Sequence, residues 1–232
     1  MKIIWLGHGS FRIEVAGQTL LIDPWLSGNP ALPEDRHGDA IAGATHILLT
    51  HTHFDHVVDV LPLAKKLGIP VIGQYDLMSH WAEHEGVETI GFNKGGTVDL
   101  GGAKVSMVPA SHSSTFPTAE GLRTGGSEVG YVIAGDGHTL YVSGDTGLMA
   151  DMDWIGDYHK PDIGILSAGG YFTMDMKQAA YAAKRYFRFK AVIPCHYGTF
   201  PILEQSAADL VAGLEGTGTQ VIEPQVMQAI EV

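Results

Sequence analysis

Three histidines and one aspartate lie close together in the segment His51–His56 of the sequence. Imidazole and carboxylate groups are the side chains with which proteins bind zinc and similar divalent ions. In an extended backbone, side chains two residues apart point to the same side, so His51 and His53 can bind one ion together. Asp55 and His56 lie in the turn that follows, where they reach a neighbouring position. Without a cation these packed polar groups would stay unsatisfied, so the segment predicts a metal site.

Further candidate ligands follow three later apolar runs. His112 comes after the run KVSMV, Asp145 after TLYV and His196 after KAVI. Each therefore stands at the carboxyl end of a predicted strand, which is the edge where open α/β sheets gather their ligands. Four ligands in one short loop can complete one closed site or supply half of two open sites. The residue pattern by itself leaves both arrangements open.

Strands and helices must position these residues, and their order follows from apolar periodicity and turn residues. Residues 2–23 predict a β-meander, 24–45 a long loop that forms one wall of the site, and 111–127 a second polar loop. Meanders followed by βα units predict an α/β fold with two similar halves, whose mixed sheets pack face to face with helices outside. We expect one domain over residues 1–232. The remaining predicted elements are strands at 46–50, 69–73, 97–102, 103–110, 162–168, 190–195 and 219–222, helices at 57–68, 75–86, 175–187 and 203–213, and a hairpin at 128–145 that turns at Gly135-Asp136-Gly137.

The order of these motifs resembles that of the metallo-β-lactamase superfamily, and the resemblance spans most of the chain. It implies a four-layer αββα sandwich. The opening Trp5–Phe11, the turn Ile22-Asp23-Pro24 and the run Gly169–Asp175 are similar to a branch of metal-dependent hydrolases related to bacterial ascorbate-phosphate lactonase. The resemblance also implies two metal ions, one bound by His51, His53 and His112, the other by Asp55, His56 and His196, with Asp145 bridging both.

Two such ions imply hydrolysis. Their ligands suit zinc or manganese, and a bridging water would lose a proton near neutral pH and attack a carbonyl or phosphoryl centre. Asp55 is the candidate catalytic residue, because it can orient that hydroxide and pass a proton to the leaving group. Asp23 is placed either to accept a hydrogen bond from a ligand histidine or to start a turn. His8 and Tyr171 can bind substrate, stabilise an oxyanion or serve the structure alone.

Other residues with reactive side chains are expected to be structural. Cys195 stands beside a candidate ligand, but a free buried cysteine behaves as a small packing residue. Thr173 is predicted to cap the helix that follows it, and Asp175 to lie in the first turn of that helix. Six histidines have no spacing that joins them to the motif, and we expect them to pack or to lie on the surface: His37, His46, His80, His84, His138 and His159.

The net charge, the cysteine count and the apolar runs of the chain indicate its compartment and which kinds of partner it has. A formal net charge of −12 disfavours nucleic acid. One cysteine excludes an intramolecular disulfide and fits a reducing compartment, and no apolar run is long enough to span a membrane. We therefore expect a cytoplasmic protein with a small-molecule substrate and neither a nucleic acid nor a membrane partner. Hydrophobic residues at 24–35 and 75–81 offer an interface for a homo-oligomer.

The leading interpretation is a hydrolase that cleaves a lactone, another ester or a phosphate ester. Two alternatives stay open: a phosphodiesterase or nuclease that acts on RNA or DNA, and a metal-binding module without turnover. Antibiotic hydrolysis is disfavoured, because the lactamases that perform it carry a cysteine in their second site. An oxidoreductase with an iron pair would need a flavodoxin-like partner domain, for which a chain of 232 residues has no room.

Overall fold

Sixteen strands form the sheets of the computed structural model, which describes residues Met1–Val232. The strands are β1 (Lys2–Gly7), β2 (Ser10–Val15), β3 (Gln18–Ile22), β4 (His46–Leu48), β5 (Val71–Gln74), β6 (Thr89–Phe92), β7 (Thr97–Asp99), β8 (Lys104–Pro109), β9 (Thr115–Thr118), β10 (Gly121–Thr124), β11 (Val129–Gly135), β12 (His138–Val142), β13 (Ile163–Ser167), β14 (Ala191–Cys195), β15 (Gln220–Val221) and β16 (Ala229–Glu231).

Fourteen of these strands make two seven-stranded mixed sheets, and β9 and β10 make a separate hairpin. In the first sheet, β16-β1-β2-β3-β4-β5-β6, the strands are antiparallel from β16 to β3 and parallel from β3 to β6. In the second sheet, β15-β14-β13-β12-β11-β8-β7, they are parallel from β15 to β12 and antiparallel from β12 to β7. Each half therefore combines a meander with βα-type parallel strands, as the sequence predicts.

Seven α-helices connect the strands. None of them combines the length and the apolar character that a membrane crossing requires. Asp175 caps the sixth helix, where its side chain accepts a hydrogen bond from the backbone N–H of Gln178 in a capping box. The helices are α1 (His37–Ile41), α2 (Phe54–Val57), α3 (Val60–Leu67), α4 (Tyr75–His84), α5 (Met152–Trp154), α6 (Met176–Tyr186) and α7 (Ala208–Leu214), with a 3-10 turn at Glu34–Arg36 and a π-helical turn at Ile155–His159.

Side-chain alternation along the strands produces the layers. In β3, Leu20 and Ile22 belong to a large core that also contains Tyr131 and Leu140 of the second sheet, so they lie between the two sheets. Leu21 points the other way, into a second core with apolar residues of α3 and α4. The alanine-rich face of α6 packs with α7 on the second sheet. The order of layers is therefore helices, sheet, sheet, helices.

Several elements differ from the sequence prediction. The segment 24–45 contains the 3-10 turn and α1, and the segment 111–127 contains the β9–β10 hairpin instead of an irregular loop. Pro117 within β9 conceals that strand, because proline is typical of strand edges and not of strand interiors. The predicted helix 57–68 is observed as α3, with Pro62 in its first turn, where proline is tolerated. The short helix α2 precedes it and was not predicted. The helix predicted at 203–213 is observed as α7, and β6, β16 and α5 are additional elements.

Most large apolar residues of the two segments that were expected to offer an oligomer interface are buried in the chain's own core. Trp25, Leu26 and Leu32 are buried, and the carboxylate of Asp59 accepts hydrogen bonds of 2.7 Å from the backbone N–H groups of Leu26 and Ser27. In the second segment the buried residues are Leu77, Met78 and Trp81. Tyr75 at the start of the second segment is exposed, and the homo-oligomer stays a prediction.

One buried hydrogen bond between the sheets gives a stability test. The hydroxyl of Tyr131 on β11 donates to the backbone oxygen of Leu49, just after β4, over 2.6 Å. Tyr131→Phe should lower the free energy of unfolding in urea by about 1–3 kcal/mol, because a buried carbonyl loses its donor. Tyr141 on β12 is the matched control: it is equally buried, but its hydroxyl makes no hydrogen bond. Tyr141→Phe should be neutral or stabilising, and equal losses in both variants would contradict this assignment.

Candidate metal centre

The structure brings all seven predicted ligands together at one edge of the sandwich. In the first sheet, β4 leads into the segment His51–His56. In the second sheet, β8 leads to His112, β12 to Asp145 and β14 to His196. β8 and β12 are both antiparallel to β11, and β12, β13 and β14 are parallel, so the three ligand-bearing strands of this sheet run in the same direction. Their carboxyl ends consequently meet at one edge.

Three imidazoles form the first part of the centre. Nδ1 of His53 lies 3.1 Å from Nε2 of His51 and 3.2 Å from Nε2 of His112. All three nitrogens lie within 4.8 Å of one another. Ligands of a tetrahedral zinc ion, with bonds of about 2.0–2.1 Å, stand roughly 3.3 Å apart. These residues, the three-imidazole group, therefore have the spacing of three ligands of one ion.

Asp55, His56 and His196 form the second part, which we call the aspartate group. Oδ2 of Asp55 lies 3.6 Å from Nε2 of His56 and 3.7 Å from Nε2 of His196. All three side chains are buried. Asp55 and His56 are consecutive residues of α2, so the start of this helix directs both side chains toward the loop that carries His196.

The carboxylate of Asp145 lies between the two groups. Its Oδ2 is 4.0 Å from Nε2 of His51 and 3.7 Å from Nε2 of His112. The same oxygen is 3.5 Å from Nε2 of His56 and 2.9 Å from Nε2 of His196. One carboxylate oxygen thus faces imidazoles of both groups, which is the arrangement that a shared ligand requires.

Asp23 and Thr50 determine which ring nitrogens of two histidines are free. The backbone N–H and the hydroxyl of Thr50 both donate to the Asp23 carboxylate, and Nδ1 of His56 lies 2.7 Å from Oδ2 of Asp23. Because the Thr50 hydroxyl donates to Asp23, its oxygen accepts from Nδ1 of His51 over 3.0 Å. His51 and His56 therefore carry a proton on Nδ1 and present Nε2 to an ion.

The loop after β8 orients the remaining imidazoles of the three-imidazole group. Oγ of Ser113 lies 3.2 Å from Nε2 of His53, which leaves Nδ1 of His53 directed at the other two rings. The backbone N–H of His112 donates to the Glu128 carboxylate over 3.0 Å. The segment 111–127 thus contributes to the site through contacts close to its first residues.

His8 lies fully buried beside the aspartate group. Its Nε2 is 2.8 Å from Oδ2 of Asp55, and its Nδ1 is 3.0 Å from Oγ1 of Thr199. With Asp55 ionised, Nε2–H donates to the carboxylate, and Nδ1 lies against the Thr199 hydroxyl, which also donates to the backbone oxygen of Tyr197 over 3.2 Å. The backbone oxygen of His8 accepts from the N–H of His196 over 3.0 Å. His8 therefore connects the loop between β1 and β2 to the loop after β14, and its imidazole holds one oxygen of Asp55.

Burial and charge shift the pKa values of the centre in opposite directions. Burial lowers the pKa of His8 to about 4, so this imidazole is neutral near pH 7. Burial also acts to lower the pKa of His196 and of His56, but Asp145 and Asp55 outweigh it. They raise the pKa of His196 to about 9 and that of His56 well above its ordinary value. Burial acts to raise the pKa of Asp145, yet His196 and His56 hold it well below its ordinary value. In the metal-free protein, protons on two imidazoles balance the carboxylates.

One unsatisfied nitrogen tests whether these residues fit a metal ion. Nε2 of His56 is buried and has no hydrogen-bond partner. It faces Oδ2 of Asp145 and Oδ2 of Asp55 at 3.5 and 3.6 Å. Buried polar atoms in folded proteins are almost always satisfied, and a divalent cation at this position would satisfy the imidazole and both carboxylates at once. The side chains present therefore fit a bound metal.

The other residues considered from the sequence lie apart from these contacts. Tyr171 is 66% exposed, and its aromatic neighbour is Phe172, with no contact to the centre. Cys195 is buried, and burial raises the pKa of its thiol well above the ordinary value, in keeping with a packing role. Thr173 does not cap α6, because it is buried and its hydroxyl accepts from the N–H of Gly169.

Sequence reasoning missed the neutral partners of the ligands. Thr50, Ser113 and Thr199 each contact a histidine of the centre. Thr50 and Ser113 adjoin predicted ligands in the sequence, which is a usable signal. Thr199 is 191 positions from His8, and no spacing could have joined that pair. The predicted wall from residues 24–45 is represented by Trp25, whose ring centroid lies 5.4 Å from that of His8.

Comparison with known proteins gives consistent similarities. The family model of the beta-lactamase superfamily domain matches residues 18–197. The chain is 75% identical to a UPF0173 metal-dependent hydrolase of Ruegeria pomeroyi, covering 100% of both, and 64% identical to one of Paracoccus denitrificans, covering 99% of both. Among solved structures it resembles Igni18, a novel metallo hydrolase from the hyperthermophilic archaeon Ignicoccus hospitalis. The TM-score is 0.85 at 31% identity, covering 100% of this chain and 98% of that chain. These similarities confirm the predicted fold class.

The contact between Asp23 and His56 predicts a change in titration. Because the Asp23 carboxylate is one of the charges that raise the pKa of His56, Asp23→Asn should make His56 lose its proton at lower pH than in wild type. Histidine ring ¹⁵N shifts of the metal-free protein, followed across pH, measure this. Asp162→Asn, beside the half-exposed His138, is the matched control and should leave the His56 curve unchanged. An unaltered curve in Asp23→Asn would contradict the assignment.

Proposed function

Since the chain belongs to the metallo-β-lactamase superfamily and is a metal-dependent hydrolase, we propose that it binds two divalent ions and cleaves an ester, lactone or phosphate ester bond of a small molecule. The observation that carries this proposal is the position of Asp145. Its Oδ2 lies within 4.0 Å of imidazole nitrogens from both the three-imidazole group and the aspartate group. A single ion would leave one of the two groups without a cation.

Ligand chemistry supports the assignment of ions to residues. In this proposal His51, His53 and His112 bind one ion, Asp55, His56 and His196 bind the other, and Asp145 is shared. Nitrogen and carboxylate ligands suit zinc, which usually binds most tightly at imidazole-rich sites, or manganese where its supply is greater. When bound, the ions would supply Lewis acidity and lower the pKa of a water molecule for hydrolysis.

Asp55 is the chain's own group for proton transfer. Its Oδ2 is held by His8 and faces His56 and His196. In this proposal the carboxylate accepts the proton that the attacking water loses and passes it to the leaving group. His8 fixes the plane of the carboxylate, and Thr199 fixes the ring of His8. The carboxylate of Asp23 accepts a hydrogen bond from Nδ1 of His56, so Asp23 acts indirectly, by orienting that imidazole.

Charge favours a small substrate over the alternatives. The chain has a formal net charge of −12, which opposes the approach of a nucleic acid backbone, so nuclease action is the weaker candidate. A metal-binding module without turnover would hold the same ions but would cleave none of the substrates tested below. We keep a small neutral or singly charged ester, lactone or phosphate ester as the proposed substrate.

Metal analysis tests the two-ion proposal directly. Wild type should contain about two equivalents of zinc or manganese, as a two-metal site requires. His51→Ala should lose metal from the three-imidazole group, and Asp145→Ala should lose metal from both groups, with turnover of generic lactone and phosphodiester substrates falling alongside. His80→Ala, an exposed histidine on α4, is the control and should match wild type. A folded, metal-free wild type whose activity ignores chelator and added metal would overturn the proposal.

The role of His8 has its own test. His8→Ala should lower kcat or metal affinity by about 10–100-fold, the usual effect of removing a group that orients a metal ligand. Metal content at saturating metal should stay near wild type, because the proposed ligands themselves are unchanged. Titration with a chelator separates affinity from content. Loss of a full equivalent of metal at saturation would instead make His8 a direct ligand.

A further inference from the structure

Three aromatic rings from separate segments of the chain meet beside the aspartate group. The ring of Trp25 packs edge-on against Phe54, with centroids 5.7 Å apart, and lies at 29° to the ring of Phe200, with centroids 6.0 Å apart. Trp25 and Phe200 each contact the ring of His8, at 5.4 and 5.5 Å. We call Trp25, Phe54 and Phe200 the aromatic corner.

Phe54 places this corner at the metal centre. It stands between His53 of the three-imidazole group and Asp55 of the aspartate group. Consecutive Cα atoms are about 3.8 Å apart, so the backbone of Phe54 is within one residue of a proposed ligand of each ion. The Phe54 ring is therefore an apolar side chain next in sequence to a proposed ligand of each ion.

Packing of the fold does not explain the exposure of Phe54. Trp25 is 3% exposed and covers His8, whereas Phe54 is 61% exposed. In α2 the buried residues are Asp55 and His56, so the helix is positioned by its polar side chains. Phe54 therefore presents most of an aromatic ring to solvent, and Trp25 supports that ring from one side. A rigid, supported and exposed ring is suited to contact a ligand.

We infer that the aromatic corner binds an apolar, planar group of the substrate, with Phe54 as a specificity-determining residue. The inference rests on the proposed function, because the scissile bond must lie at the metal centre for Phe54 to contact the rest of the molecule. The corner carries no formal charge and offers no partner for an anion, so we assign it an uncharged group. Stacked or edge-to-face packing against Phe54 would select substrates with an aryl or similar flat substituent.

Hydroxamate binding separates the corner from the metal centre. Acetohydroxamate can bind the ions alone, whereas phenylacetohydroxamate adds one flat apolar group. Calorimetry on zinc-loaded wild type should give a Kd about tenfold lower for phenylacetohydroxamate, the scale of one aromatic contact. In Phe54→Ala the two Kd values should differ by about twofold or less, with acetohydroxamate binding unchanged. Phe54→Leu should retain an intermediate preference, because it keeps apolar area without a flat ring.

Tyr158→Ala supplies the control, since Tyr158 is 78% exposed on the π-helical turn and its recorded aromatic contact is with His159. It should keep the wild-type preference. Equal Kd values for the two hydroxamates in wild type would overturn the inference while leaving the metal centre intact. Failure of acetohydroxamate to bind zinc-loaded wild type would count instead against the proposed function. A change of oligomeric state in Phe54→Ala by light scattering, with the hydroxamate preference kept, would assign Phe54 to an interface and overturn the inference.

Discussion

Burial of three carboxylates among imidazoles, at the meeting edge of two sheets, is the constraint on which the rest of the structure depends. Asp23, Asp55 and Asp145 are all buried. A buried carboxylate is tolerated only when it is paired or hydrogen-bonded, because desolvation costs several kcal/mol per ion. Protonated imidazoles can meet that need in the metal-free chain, and divalent ions would meet it with shorter and stronger contacts. Metal binding and the stability of this edge are therefore coupled.

Pairing of these carboxylates with imidazoles requires residues from both halves of the two-sheet architecture. The first half supplies both residues of α2 that face the centre, and the second half supplies Asp145 and His196. The backbone also joins the halves: the oxygen of His8 accepts from the N–H of His196. Packing between the sheets sets the distance between α2 in the first half and the loops that carry Asp145 and His196 in the second half. The imidazole-to-carboxylate distances follow from this packing. The large shared core is thus what gives the centre its geometry.

The sequence predicted the layers, the two mixed halves and the group of residues that meets at the centre. Those features depend on strand alternation and on strand-end positions, both of which are local in the chain. The β9–β10 hairpin was missed because Pro117 and the polar residues around it do not show strand periodicity. The partnership of His8 with Thr199 was missed for a different reason: it joins the two halves, and no local pattern encodes the distance between them. The two possible roles of Asp23 could likewise be separated only by its contacts with Thr50 and His56.

Backbone strain occurs at three strand ends where side chains turn into the centre. Seven residues other than glycine have positive φ, and three of them belong to the centre: His8 at 55°, Asp23 at 43° and His196 at 61°. Such conformations cost of order 1–3 kcal/mol each and persist only where the surroundings fix them. Here the fixing contacts are visible, because His8 and His196 share a backbone hydrogen bond and Asp23 accepts from Thr50. Glycine at these positions would relieve the strain but remove the imidazole or the carboxylate. At these three strand ends the contacts that hold the strained backbone are therefore also the contacts that orient a side chain of the centre.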